Sequence, residues 1–165
     1  MATSPRYVVP FRRKREGKTN YRKRLNLLKS GLPRLVLRKT NKYIIAQIVN
    51  YDPKGDKVLL TINSKVLQKM GWKYGCKNLP AAYLLGLLVG KKAKEMNIKK
   101  MILDIGLHRA TKGNRLFAVV KGVIDSGIEV PFDESMFPSE DRLSGKHINE
   151  DIVKAFEELK KKISE

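Results

Sequence analysis

The sequence predicts an α/β fold: a mixed sheet with an antiparallel three-stranded meander and packed helices, preceded by a basic arm. Three apolar runs, PRLVLRK, KYIIAQIVN and KVLLTI, are joined by short turns and predict the meander. Further along the chain, helical apolar patterns flank one more buried strand, KKMILDIGL. The resulting order, α-β-β-β-α-β-α-α, implies that helices pack on a mixed sheet.

The first elements follow from local sequence. Residues 1–17 hold two prolines and no sustained apolar period, so they are predicted to form an extended arm. Thr19 can cap a short helix that runs to about Ser30 and ends at Gly31. The three strands then follow, connected by Thr-Asn and by the Asp-Pro-Lys-Gly turn.

The central helix is predicted over NLPAAYLLGLLVGKKAKEMN, with Asn78 as its cap and a proline tolerated in the first turn. Ala82, Gly86 and Gly90 are four residues apart and therefore share one face. Glycine inside a helix is unfavourable, so this small-residue stripe is expected to allow close approach to a sheet.

The last third is predicted to hold two helices. Asn114 can cap the first, which continues through Ile124 and ends at Gly127. Residues 128–147 contain two prolines and are predicted to be irregular. A final amphipathic helix has one apolar face, formed by Ile148, Ile152, Phe156, Leu159 and Ile163. The chain thus divides into a basic extended arm (1–17), an α/β domain (18–127) and an acidic C-terminal extension (128–165).

Charge is unevenly distributed over these parts. The net charge of the 165 residues is +19 and the pI is about 10.1, which indicates an anionic partner. Residues 1–42 hold fourteen Lys or Arg and one Glu, whereas ten acids face three bases between Asp125 and Glu158. The single Cys76 and the lack of a long apolar run or secretory signal lead us to expect a soluble intracellular protein.

Residues suited to catalysis or metal binding are few. One cysteine and the separated His108 and His147 do not supply a zinc site, and no phosphate-cradling glycine loop is present. Cys76 is interpreted as a small structural residue. Asp104 could be one carboxylate of a nuclease metal site, but that needs two or three more acids converging on it. We favour a structural acid that accepts backbone N–H groups at a strand end.

The basic segment FRRKREGKTNYRKR favours nucleic-acid binding over a merely solvated face or a localisation signal. Aromatic residues are interleaved with its charges, namely Tyr7, Phe11 and Tyr21, and Tyr43 follows the next basic group. Such rings can stack on bases while Arg and Lys hold phosphates. Composition alone does not distinguish RNA from DNA.

Several long stretches extend this hypothesis. They are PRYVVPFRRKREGKTNYRKRLNLLKSGLPRLVLRKTNKYIIAQIV, NLPAAYLLGLLVGKKA and ILDIGLHRATKGNRLFAVVKGVIDSGIEVP, which together cover most of the chain in order. They resemble the large-subunit ribosomal proteins that bind 5S rRNA, numbered eighteen in bacteria and archaea and five in eukaryotes. The segment DRLSGKHI resembles a segment found in the archaeal and eukaryotic members of this family. Because the chain is short, it looks archaeal in type.

The resemblance implies a non-catalytic, ribonuclease-H-like fold and a protein that is not an enzyme. It implies a structural constituent of the large ribosomal subunit that binds 5S rRNA and anchors it to the large-subunit rRNA in the central protuberance. The implied partners are 5S rRNA, large-subunit rRNA and neighbouring large-subunit ribosomal proteins. No membrane, small-molecule substrate, cofactor or metal is implied, and the expected location is the cytoplasm.

By position, the resemblance implies RNA contacts on the arm, the first helix, the first hairpin and one later loop. The residues are Arg12, Arg13, Lys14, Arg15, Lys18, Tyr21, Arg22, Arg24, Arg34, Arg38, Lys39, Asn41, Lys42, Arg109, Lys112 and Asn114. Phosphate would repel the acidic extension, so we expect residues 128–165 to lie against the protein's own core or to contact a basic ribosomal protein. An RNA-processing enzyme and a DNA-compacting protein are the alternatives from other classes.

Overall fold

The computed structural model describes residues 4–164; the first three residues of the predicted arm and the last residue of the predicted extension lie outside it. In this range the chain forms four strands and seven α-helices. In chain order they are α1 (Arg12–Arg15), α2 (Tyr21–Leu28), β1 (Arg34–Lys39), β2 (Ile44–Asn50), β3 (Lys57–Asn63), α3 (Val66–Lys69), α4 (Leu79–Glu95), β4 (Ile102–Asp104), α5 (Arg115–Asp125), α6 (Glu140–Ser144) and α7 (Glu150–Ser164).

The four strands form one mixed sheet in the order β3-β2-β1-β4. β1, β2 and β3 pair antiparallel, and β4 pairs parallel to β1. The predicted α/β class, meander and fourth strand are confirmed, while the finer likeness to a ribonuclease-H fold stays a prediction. The β2–β3 register shifts between Ile48 and Val49, which face Leu60 and Val58, so Leu59 is an extra residue in the edge strand.

Alternation along the strands gives the sheet two different faces. Leu35, Leu37, Ala46 and Ile48 are fully buried in the core that the sheet shares with α4 and α5. The opposite face carries Arg34, Val36 and Arg38 of β1 with Gln47, Val49 and Val58 of the neighbouring strands. We call this opposite side the outer face. It is the surface that positions the candidate site.

Helices α4 and α5 begin as the sequence predicts. The Asn78 side chain accepts a hydrogen bond from the Ala81 backbone N–H, and the Asn114 side chain accepts one from the Leu116 N–H. Each cap satisfies one of the N–H groups that a helix start leaves without an intrahelical partner. The prediction that residues 128–147 are irregular is partly wrong, because they contain a 3₁₀ turn at Glu134–Met136 and helix α6.

The predicted small-residue stripe of α4 has a different partner from the one expected. A Cβ at Gly86 would overlap the carbonyl oxygen of Val119 and approach the Gly122 Cα to 3.0 Å, and one at Gly90 would overlap the Ser126 side chain. All three neighbours belong to α5 or its C-terminal end. The stripe therefore allows a close helix–helix crossing, and the expectation that it faces the sheet is wrong.

Replacing Gly86 by Leu is expected to lower the free energy of unfolding by about 1–3 kcal/mol, because the side chain must displace backbone atoms of α5. Lys92→Leu, at an exposed position of the same helix, is the control and should stay within roughly 0.5 kcal/mol. Urea denaturation of both variants measures the difference. A Gly86→Leu protein as stable as the parent would contradict this crossing.

The N-terminal segment is more ordered than predicted. Four successive basic residues form α1, where the two prolines and the lack of a sustained apolar period predict an extended chain. The turn is held to α2 by the Phe11 and Tyr21 rings, whose centroids lie 5.2 Å apart, and by Arg13 Nε donating to Thr19 Oγ1. Helix α2 begins at Tyr21, and the Asn20 side chain accepts the Lys23 backbone N–H, so Asn20 is the cap and the predicted cap, Thr19, is wrong.

The predicted C-terminal helix is α7, and its apolar face packs on the main core. Ile152, Phe156, Leu159 and Ile163 are buried, and the Phe156 ring lies 5.6 Å from that of Tyr83 on α4. Ile148 precedes the helix and is nearly half exposed, so its predicted place on the buried face is wrong. Residues of the acidic extension thus lie against the protein's own core, one of the two arrangements expected for it.

Candidate nucleic-acid interface

A groove of about 420 Å³ lies between α2 and the outer face of the sheet. Its floor is apolar, with Val36, Val49 and Val58 from three neighbouring strands. Arg13 and Lys18, from α1 and the segment before α2, line its mouth together with residues of α2. Strand alternation places these valines on one face, and the arm and α2 then bring the cations over them.

Five charged side chains cross-link this groove. Arg34 Nη1 donates to Asp104 Oδ2 at 3.1 Å and Nη2 to Asp56 Oδ2 at 2.6 Å. Arg38 Nη2 donates to Asp104 Oδ1 at 3.1 Å, and Arg24 Nη2 donates to Asp56 Oδ1 at 2.7 Å. Each carboxylate therefore lies between two guanidinium groups. The hydrogen bond from Arg24 is the main reason that the pKa of Asp56 is lowered.

Asp104 has the structural role predicted for it. It accepts the Gly106 backbone N–H at 2.8 Å, just after the strand end, in addition to its two arginine partners. Within residues 4–164 no group of three His, Cys, Asp or Glu side chains is placed to hold a metal ion. The described part of the chain thus lacks the converging acids that a metal-dependent nuclease site requires.

Helix α2 is attached to the body by few buried groups. None of its eight residues is buried, although Leu27 lines the groove. The ion pair between Arg24 and Asp56 joins it to the turn before β3. A surface helix held in this way keeps its remaining basic side chains available to an anionic partner.

Beyond the groove, the basic surface continues to the loop before α5. Lys39, at the end of β1, lines a second concavity with Lys112, Asn114 and Arg115. The loop is tied to β1 because the Lys39 backbone N–H donates to His108 Nε2 at 3.4 Å. Burial, followed by the charges of Lys39 and Arg38, lowers the pKa of His108 and favours its neutral, hydrogen-bond-accepting form.

A third concavity adjoins the second one through Arg115, which lines both. It contains Asn41 and Lys42 of the β1–β2 turn together with Lys77. Lys77 Nζ donates to the Asn41 carbonyl oxygen at 3.2 Å and so holds the turn beside the start of α4. The loop before α5 lines the first concavity at Gly106 and Leu107 and the second at residues 111–115, so the three concavities form a connected basic surface from the arm to the hairpin turn.

The structure brings most of the predicted contact residues to these concavities. Those lining one or more of them are Arg13, Lys18, Arg24, Arg34, Arg38, Lys39, Asn41, Lys42, Lys112 and Asn114. Arg12, Lys14, Arg15 and Arg22 are exposed on α1 and α2, Arg109 is exposed in the loop, and Tyr21 packs on Phe11. Their RNA contacts stay a prediction.

Arg34 differs from the other predicted contact residues. Only 3% of its surface is exposed, because it lies between Asp56 and Asp104. In this conformation it bridges two carboxylates and offers no charge to a partner at the surface. We therefore leave it out of the proposed interface; its neighbours Arg24 and Arg38 remain partly exposed.

Sequence reasoning missed several basic residues of this surface. Lys23 lines the groove, Lys77 and Arg115 line the third concavity, and Arg142 of α6 lines the second. The charge run around Lys23 was a sufficient signal for that residue. Arg142 lies in the acidic part of the sequence, and only the packing of α6 brings it beside the loop at Lys112.

Cys76 is buried among core residues, as its structural interpretation requires. Burial raises the pKa of its thiol, so the nearby Lys73 and Lys77 do not produce a reactive thiolate.

Among the described helices, none combines the length and apolar character needed to cross a membrane.

Fold and site together define a class of protein, namely an α/β protein with a connected basic surface. The acids of its groove, Asp56 and Asp104, form ion pairs with arginines. The family model for the ribosomal large subunit proteins 60S L5 and 50S L18 matches residues 5–101 and 91–133, which is most of the chain. The chain belongs to this family. It is a large-subunit ribosomal protein of the cytoplasmic ribosome, with rRNA and ribosomal proteins as partners, and its family is structural rather than enzymatic.

Proposed function

We propose that this protein binds 5S rRNA and anchors it to the large-subunit rRNA in the central protuberance. The observation that carries the proposal is the continuity of the basic surface. The loop between β4 and α5 lines the first concavity at Gly106 and Leu107 and the second at residues 111–115, and Arg115 joins the second concavity to the third. A surface of this extent can follow an RNA backbone over several phosphates, which a single cluster of cations does not do.

The arm and the globular part have separate roles in this proposal. The outer face, the β1–β2 turn and the loop before α5 contact 5S rRNA. Arg12, Lys14 and Arg15 of α1 are exposed and do not line the groove, so they can reach a second RNA segment, from the large-subunit rRNA. Two RNA molecules held by one chain at two surfaces constitute an anchor. We propose no catalytic activity for it.

The acidic surface supports the same orientation. Glu150, Asp151, Glu157 and Glu158 are exposed on α7, whose other side packs on the core. Four exposed lysines of the same helix, Lys154, Lys160, Lys161 and Lys162, balance these acids, so α7 offers phosphate no net positive charge, unlike the basic surface. The proposed division is therefore a basic α/β domain that binds RNA and an acidic extension, residues 128–165, directed away from it toward a basic ribosomal protein.

A direct test compares 5S rRNA with duplex DNA of similar length in competition at one salt concentration. The proposal expects preferential binding of 5S rRNA; equal affinity would favour a DNA-compacting protein. Incubating the RNA with protein and Mg²⁺ should leave it intact, and specific cleavage would indicate an RNA-processing enzyme.

The double substitution Lys112→Ala and Arg115→Ala tests the surface itself. Each lost phosphate contact should reduce the slope of log affinity against log salt by roughly 0.7–0.9. Lys161→Ala with Lys162→Ala removes two exposed charges from α7 and is the matched control, with an unchanged slope expected. An equal loss from both pairs would mean that net charge, and not this surface, determines binding.

A further inference from the structure

The groove under α2 has an apolar floor formed by aliphatic side chains, which the second concavity lacks. The second concavity is lined mainly by charged and polar side chains, and the third also contains Tyr43 and Tyr74. In the first, Val36, Val49 and Val58 of three neighbouring strands lie beneath the cations. Phosphate binding needs no apolar floor. The floor therefore indicates a ligand that has an apolar face as well as negative charge.

The charged groups around the groove favour an anion at its mouth. Arg13, Lys18 and Lys23 line it and do not contact its two carboxylates; Lys18 pairs with Glu16, which does not line the groove, while Arg13 and Lys23 have no ion pair within the described residues. Asp56 and Asp104 are each held between two arginines, so they add little uncompensated negative charge. Anionic groups at the mouth and an apolar group on the floor would both be accommodated.

Hydrogen-bonding groups also border the valine floor. Gln47 stands on the outer face of β2, and its Nε2 donates to Thr61 Oγ1 at 3.0 Å. That bond fixes the amide and leaves its carbonyl oxygen as an acceptor at the floor. An amide beside an apolar surface is a combination that can recognise a base, with the surface against its face and the amide at its edge.

From this combination we propose that the groove binds one unpaired nucleotide of the rRNA, with its base over Val36, Val49 and Val58 and its phosphates at Arg13, Lys18 and Lys23. The inference rests on the proposed binding of 5S rRNA. A volume of about 420 Å³ is on the scale of a single small-molecule ligand and is too small to admit a base-paired helix. Bases that leave a stack in loops and bulges are the usual objects of specific RNA recognition.

Val58→Trp is the variant that fills the groove without changing charge. Val58 is 53% exposed at the edge of the floor, so a larger side chain can be accommodated there without repacking the core. Leu59→Trp is the matched control, because Leu59 is the extra, partly exposed residue next to it and does not line the groove. Thermal melting of the free proteins checks that both fold.

The experiment maps full-length protein on 5S rRNA with two probes. Hydroxyl radicals report contact with the RNA backbone, while dimethyl sulfate and a carbodiimide report exposed base edges. We expect the wild-type protein and Leu59→Trp to protect one unpaired nucleotide at its base. Val58→Trp should restore the reactivity of that nucleotide, retain the other backbone protections and weaken binding about tenfold, within the range that one stacked base supplies.

The outcomes separate the inference from the proposed function. No backbone protection by wild-type protein would overturn 5S binding itself. If Val58→Trp protects the RNA backbone and the same base as the wild-type protein, only the nucleotide pocket would be overturned. The pocket would also be overturned if Val58→Trp lost backbone protection without any change at a base, because the groove would then hold the backbone of an RNA helix. If Val58→Trp does not fold, Gln47→Leu replaces it: the same nucleotide should lose protection, and unchanged protection would overturn the inference.

Discussion

Removal of residues 1–17 is expected to reduce the salt dependence of RNA binding while leaving the melting temperature of the free protein nearly unchanged. The segment contains five basic residues, and none of its described residues is buried. Five neutralised phosphates would contribute up to about 3.5–4.5 to the slope of log affinity against log salt. This corresponds to a loss of several orders of magnitude in affinity at low salt.

The measurement uses the full-length and truncated proteins on 5S rRNA and, separately, on a large-subunit rRNA fragment. Because the arm is proposed to contact the large-subunit rRNA, the truncation should reduce the salt slope more on that fragment than on 5S rRNA. A full-length protein with Arg12, Arg13, Lys14 and Arg15 replaced by Gln distinguishes charge from chain length. Identical slopes for all three proteins on both RNAs would show that the arm is not an RNA-binding element.

Asp104→Asn is expected to destabilise the free protein by about 3 kcal/mol. Breaking a buried ion pair costs roughly 3–5 kcal/mol, because the remaining charge stays desolvated. Arg34 is that charge here, and it keeps Asp56 as a second partner, so the lower end of the range applies. Arg38 is more exposed and is hydrated when its partner is lost, which limits its contribution.

Urea denaturation gives the free energy of unfolding of this variant, and Asp52→Asn is the control. Asp52 pairs with the well-exposed Lys57 in the β2–β3 turn, so its loss should cost less than about 1 kcal/mol. If both variants lose the same stability, Asp104 would be an ordinary surface acid and the central place given to Arg34 would be wrong.

The regular elements were predictable because their signals are local. The Asn78 and Asn114 caps, the meander and the amphipathic period of α7 each depend on residues close together in the chain. Side-chain partners that are distant in sequence were not. Thr19 and Asn20 are both plausible caps of α2 by sequence, and the glycine stripe of α4 does not indicate whether a sheet or a helix lies opposite it.

The candidate site was predictable in its charge and not in its shape. The run from Arg12 to Arg24 identifies a polyanion-binding segment from composition alone. The sequence does not show that Arg34 is enclosed by two acids, 22 and 70 residues further along the chain. Nor does it show that three valines from separate strands form a floor under α2, because that requires the strand register.

The parallel pairing of β4 with β1 has a consequence for the kinetics of folding. The contact from Arg34 to Asp104 closes a loop of 70 residues, whereas Gln47 and Thr61 of the meander are 14 apart. The logarithmic cost of loop closure makes the longer loop about 1.4 kcal/mol more expensive. The meander should thus form before β4 docks, and Asp104→Asn should mainly accelerate unfolding and slow refolding little. Before β4 docks, Arg34 and Arg38 lack the Asp104 carboxylate. A polyanion added during refolding can therefore compete with Asp104 for these two arginines.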